Sequence, residues 1–144
     1  MLKCKSILHP TDFSEYSRPA FEVACSLARD NKAELHLAHV IPPIVVGYGH
    51  GVVPPDPDVR RREVEQMLES LKAEAAPLSV TIHVEDGEAA PAVLSLADRI
   101  HCDLIVLGTH GRTGLARLLM GSIAEAIVRK AKCPVLTVKI PDKR

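Results

Sequence analysis

The sequence predicts a single-domain α/β protein: an open, parallel, five-stranded sheet with helices on both faces and strand order 3-2-1-4-5. Three observations carry this. Apolar strand-like runs alternate with stretches at helical spacing, in the order β-α-β-α-β-α-β-α-β, a pattern that buries a parallel sheet on both faces. A chain of 144 residues suits one core. Asp12 follows the first strand and a glycine-rich run follows the fourth. Those two loops open into one crevice when strands one and four are neighbours, where the winding direction reverses.

Strand one is expected over residues 6–9, stopping at Pro10-Thr11-Asp12. A helix then runs to about Arg29, with Ala20, Phe21, Val23, Ala24, Leu27 and Ala28 on one stripe. Pro19 is tolerated only in a first turn, which selects Ser17 over Ser14 as the N-cap. Asp30-Asn31-Lys32 reads as a turn and residues 34–40 as strand two. Residues 41–57 hold five prolines and three glycines, and we expect a mobile or functional loop there. Helical spacing returns over residues 59–76, and Arg60-Arg61-Arg62 reads as its solvated face. Strand three follows over residues 78–84, a turn at Asp86-Gly87-Glu88, and a helix from Pro91 to about Ile100. Leu104 to Leu107 is strand four, residues 121–130 the last helix, and Val135-Leu136-Thr137-Val138 strand five. Right-handed crossovers complete a Rossmann-like topology.

Composition narrows the function. Formal net charge is zero, which argues against a nucleic-acid binder, and with no Trp, two Tyr and two Phe there is no base-stacking platform. No apolar run is long enough to span a membrane, and the first residues lack the apolar core of a signal peptide, so we expect a cytoplasmic protein. Cys4, Cys25, Cys102 and Cys133 are scattered without a CxxC pair. They read as buried, reduced thiols, the alternative being a zinc or redox site.

The run from Gly108 to Ser122 carries the chemistry. Gly108, Gly111 and Gly121 let backbone amides approach a ligand, and the helix that starts near Ser122 points unpaired amides and its positive dipole end at the same loop. Together these make an anion site suited to phosphate.

The residues also resemble a known family. Gly108-Thr109-His110-Gly111, nine residues, then Gly121-Ser122 matches the G-x2-G-x9-G-[S/T] pattern of ATP-binding universal stress proteins. Pro10-Thr11-Asp12-Phe13-Ser14 is similar to their first-strand loop, and Cys133-Pro134-Val135-Leu136-Thr137-Val138 to their last strand. The likeness covers nearly the whole chain and weakens over residues 46–63. It implies ATP as ligand, with Mg2+ or Mn2+ bridging its phosphates. It implies Asp12 at the adenosine end and Val40, closing strand two, offering backbone groups to adenine. It implies Gly108, His110, Gly111 and Arg112 around ribose and phosphates, and Gly121, Ser122 and Ile123 as amide donors. It further implies a regulatory stress-response role and a homodimer formed through the last strand. Beside the resemblance, Pro10 and Val40 sit where they can wall an adenine slot, Thr11 lies in the same loop, and Arg117 is a second cation near the phosphates. Gly114 stands where many relatives carry a larger polar residue.

Each site residue also has a plainer use. Asp12 would cap the helix that follows, His110 would be a loop hydrogen-bond partner, and Ser122 a helix-start residue. His9, His36, His39, His83 and His101 read as strand-surface and turn residues, and His50 as a loop residue. There is no GxxxxGK[ST], G-x-G-x-x-G after a strand, G-x-S-x-G or H-E-x-x-H. No general base is evident beside a γ-phosphate, so at most weak ATP hydrolysis is expected. A slow ATPase or nucleotide-dependent transferase is one competing reading. A small-molecule or protein-binding module that never meets ATP is another, and a metal or redox sensor a third. The protein partner is unknown.

Overall fold

The computed structural model describes residues 3–44, 56–110 and 120–140. The elements run β1 (Ser6–Pro10), α1 (Arg18–Asn31), β2 (Glu34–Ile41), α2 (Pro57–Glu74), β3 (Val80–Asp86), α3 (Ala89–Arg99), β4 (Leu104–Gly108), α4 (Ser122–Lys130) and β5 (Val135–Val138). All strands are parallel, in the order β3-β2-β1-β4-β5, as the sequence predicts.

Side-chain alternation along the strands builds two cores, one on each face. On one face Ile7, Leu35, Leu37, Ile41 and Val106 pack under Phe21, Ala24 and Ala28 of α1 and Val64 and Leu68 of α2. On the other, Leu8, Ala38, Ile105 and Leu107 pack under Val93, Leu96 and Ala97 of α3 and Ala124 and Ile127 of α4. Two helices per face and a reversal between β1 and β4 set up the crevice. Among the described residues no helix is long and apolar enough to cross a membrane.

Several local expectations change. α1 continues through Asn31, and Lys32 closes it in the left-handed conformation, so the expected turn begins two residues late. Ser17 stands at the N-cap with Pro19 behind it, yet its hydroxyl donates to the Ser14 carbonyl at 2.9 Å instead of accepting from a helix amide. α2 starts earlier, capped by Asp56, whose side chain accepts from the Asp58 amide. Its arginines are not all solvated: Arg61 pairs with Asp86 at the end of β3 and donates to the Val84 carbonyl. β3 is displaced two residues toward the C-terminus because the Leu35 amide donates to the Ser79 carbonyl at 2.9 Å, fixing Val80 opposite Leu35. Ile41, not Val40, closes β2, where the Gly87 amide donates to the Ile41 carbonyl. His9 and His39 are buried under α1 and α2, not on strand surfaces. The expected loop of residues 41–57, with His50, lies mainly outside the described residues.

Candidate functional site

The register sets the site. Ile7 pairs with Leu104 and Leu8 with Ile105, so β1 and β4 run side by side and end on the same rim. Pro10, Thr11 and Asp12 leave β1 there, and Gly108, Thr109 and His110 leave β4 beside them. The start of α4 is tied to that rim, because the Gly121 amide donates to the Thr109 carbonyl at 2.7 Å. Of the residues expected at the site, Pro10, Thr11, Asp12, Val40, Gly108, His110, Gly121, Ser122 and Ile123 belong to elements that end or start on this rim. Gly111 and Arg112, like Gly114 and Arg117, lie outside the described residues.

Local hydrogen bonds give the β1–α1 loop its shape. Asp12 Oδ1 accepts from the amide and the hydroxyl of Ser14, at 2.9 and 2.5 Å, so Asp12 closes its own turn and does not cap α1. Thr11 Oγ1 accepts from the Phe13 amide at 3.0 Å. Since Ser17 spends its proton on Ser14, Thr11 donates to Ser17 across 3.1 Å. Phe13 adopts φ 64, a left-handed backbone that costs a bulky residue about 1–3 kcal/mol. Its ring offsets that cost by packing into the core and against His39, with centroids 4.6 Å apart. The Thr11 carbonyl in turn accepts from His39 Nδ1 at 2.8 Å. The loop is therefore held in one shape from both ends.

The main chain of β2 faces this space. The Ala38 carbonyl accepts from the Thr11 amide, toward β1, whereas the Ile41 carbonyl accepts from Gly87, toward β3. Main-chain groups of a parallel strand alternate sides, so Val40 directs its amide and carbonyl past the last residue of β1.

Two glycines divide their duties differently from the sequence reading. A Cβ on Gly108 would lie 3.1 Å from the Tyr16 carbonyl oxygen and 3.9 Å from Ser17 Cα. The missing side chain there serves the packing of β4 against the start of α1. The Gly121 amide is committed to Thr109, so it is no longer among the ligand donors. Gly121 instead makes an extended N-cap at φ −61, ψ 156, without a side-chain cap, and its carbonyl accepts from Glu125. The amides of Ser122 and Ile123 are first-turn donors that the helix itself does not use. His110 Nδ1 is within 3.0 Å of Thr109 Oγ1, which orients the ring. Among the described residues no three His, Cys, Asp or Glu side chains gather to hold a metal.

Supporting residues escaped the sequence reading. Thr109 and Phe13 stand within the quoted motifs without an assigned role and His39 lies outside them, and the contacts that give them roles join different elements of the fold. Ser14 was legible, since Asp12-x-Ser14 is a common side-chain-to-amide turn. A cavity of about 260 Å³ lined by Thr11, Phe13, Ser17, Met67, Leu71 and Glu74 lies between the β1–α1 loop, α1 and α2.

A parallel sheet of this order, with main-chain donors and a carboxylate where its winding reverses, defines a Rossmann-like α/β protein of the doubly wound class. The profile of the universal stress protein family matches residues 3–139, and the chain belongs to that family. It is 37% identical over 143 residues to universal stress protein MJ0531 of Methanocaldococcus jannaschii, covering 96% of this chain and 84% of that one. The solved structure of MJ0577, a universal stress protein of the same organism, superposes with TM-score 0.80 at 25% identity, covering 99% of this chain and 100% of that one. A universal stress protein solved in complex with cAMP shares the fold, with TM-score 0.72 at 22% identity over 96% of this chain and 99% of that one.

Proposed function

We propose that this protein binds ATP, with Mg2+ or Mn2+ on its phosphates, at the rim formed by the ends of β1, β2 and β4 and the start of α4, and acts as a nucleotide-dependent regulator in a stress response. The observation that carries the reading is the adjacency of β1 and β4, which brings Asp12, the Val40 main chain and the α4 amides to one rim. Adenine meets the Val40 main chain beside Pro10, ribose meets Asp12, and the phosphates meet Ser122, Ile123, His110 and the loop carrying Gly111 and Arg112. The cAMP-bound relative supports an adenine nucleotide as the ligand class.

A second copy of the chain completes the proposed assembly. Among the described residues β5 pairs only with β4 and forms an edge of the sheet. Met120, Ile123, Val128 and Leu136, on α4, its approach and β5, are 39–49% exposed, more than isolated apolar residues need be. A homodimer through Val135–Val138 covers them. The four free thiols support the cytoplasm as its compartment.

Calorimetric titration of the purified chain with Mg-ATP, together with mass spectrometry of any ligand that copurifies, tests the reading. Micromolar binding is expected, about −8 kcal/mol. Replacing Asp12 by Ala should weaken it about tenfold, a loss of about 1.4 kcal/mol. Absence of binding by any adenine nucleotide would sink the proposal.

A further inference from the structure

At the end of the strands opposite the rim just described, the fold joins two cysteines that the sequence separates by thirty residues. Cys102 lies just before β4 and Cys133 just before β5. β4 and β5 are parallel neighbours with Ile105 opposite Val135, and the Ile105 amide donates to the Pro134 carbonyl at 3.0 Å, which pins both strand starts. The two sulfurs approach to 3.6 Å. Closing to the disulfide length of about 2.05 Å needs a movement of about 1.5 Å, within the reach of side-chain rotation and small backbone adjustment.

We propose that Cys102 and Cys133 form a redox-active dithiol that exchanges with small anionic disulfides, of which oxidised glutathione is the probe. A cavity of about 300 Å³ opens beside the pair, lined by Leu94, Ala97, Asp98, His101, Lys130 and Lys132 as well as both cysteines. Asp98 is paired with Lys132 at 3.5 Å, which leaves Lys130 to give the cavity a positive balance. Anionic reagents are favoured there.

The two thiols have unequal parts. Cys133 is half-buried and Cys102 buried. Burial, and then the neighbouring Cys133, push the Cys102 thiol up to about 12, so it stays protonated while Cys133 is a thiol or thiolate. Cys133 as thiolate attacks one sulfur of the small disulfide, forming a mixed disulfide and releasing one small thiolate. That removes the Cys133 charge, which adds to burial in holding Cys102 protonated. Cys102 then loses its proton to solvent, attacks Cys133 Sγ and expels the second small thiolate. The protein dithiol is oxidised by two electrons, and the small disulfide is reduced to two thiols.

The experiment equilibrates the reduced, full-length protein with oxidised glutathione, quenches with acid, and reads intact mass and disulfide-linked peptides. The expected product has lost two hydrogens and links the peptides bearing Cys102 and Cys133, with Cys4 and Cys25 still free. In Cys102→Ser the mixed disulfide on Cys133 should accumulate, and in Cys133→Ser the native chain should stay reduced. A Lys130→Glu variant should slow the reaction with oxidised glutathione several-fold and leave that with neutral hydroxyethyl disulfide unchanged. A native chain that stays reduced under conditions that oxidise the urea-unfolded chain overturns the proposal. So does glutathione that remains on Cys133 of the native chain without ring closure, and equal slowing of both reagents overturns the role of the charged cavity.

Discussion

His9 allows a quantitative test of the buried polar core under α1. Its Nδ1 donates to the Val106 carbonyl at 2.8 Å, which fixes the neutral tautomer with the bare nitrogen at Nε2. Nε2 is fully buried and has no hydrogen-bond partner among the described residues. A proton placed there would make a buried cation with an unsatisfied donor. Burial accordingly lowers the His9 value from 6.5 to about 4, against smaller opposing effects of the Val106 bond and the Asp12 charge. The folded value is depressed, so between pH 6.5 and about 4 the unfolded chain binds a proton that the folded chain refuses. Stability therefore falls as pH falls through that window, and this contribution is absent above it. The whole displacement corresponds to roughly 3 kcal/mol, and at pH 5 the loss relative to pH 7.5 is about 2 kcal/mol. His36 and His83, hydrogen-bonded through Nδ1 of His36 and Nε2 of His83 at 2.9 Å, are also lowered, chiefly by burial, and add to the slope. A His9→Phe variant isolates the term. Urea unfolding at pH 7.5 and pH 5 should show a loss smaller by about 2 kcal/mol in the variant, with ring NMR of His9 tracking its titration in the parent protein. The reasoning fails if His9 titrates near 6.5, or if both proteins lose the same stability.

Other perturbations address the rim and the edge strand. Gly108→Val drives a side chain against the Tyr16 carbonyl and should cost about 1–3 kcal/mol, read as a lowered urea midpoint at constant m; an unchanged midpoint would contradict the packing role. Gly121→Val keeps a backbone of φ −61, ψ 156 that valine accepts, so unfolding should change little while ATP binding is lost in calorimetry. Normal binding by that variant would show that the phosphates lie elsewhere. Leu136→Lys sets a charge on the β5 edge and should convert a dimer to a monomer in sedimentation; a monomeric parent protein would rule out the proposed interface.

Much of this architecture was legible because its signals are local or periodic. Helical and strand periodicities over Arg18–Asn31, Glu34–Ile41 and Ser122–Lys130 report which faces are buried, and alternation of elements requires a parallel sheet. Element ends were less legible. Ser79 and Gly87 settle the limits of β3 and β2 through hydrogen bonds to Leu35 and Ile41, partners more than forty residues away in the chain. The candidate site divides in the same way. Asp12, the glycine spacing and Ser122 point to the rim that β1 and β4 share, since the motifs that mark it are runs of residues at fixed positions. That Gly108 serves the Tyr16 carbonyl, and that Gly121 has already spent its amide, depends on neighbours brought in by folding.

The chain's own order of residues determined the alternating elements, the doubly wound sheet and the loops that flank its winding reversal, because each follows from short-range pattern and the handedness of crossovers. Only the tertiary structure decided which buried groups lack partners, which glycine makes room for main chain, and that Cys102 and Cys133 meet. Those outcomes depend on distances between residues far apart in sequence, and such distances are set when β1, β4 and β5 pair and the helices close over them.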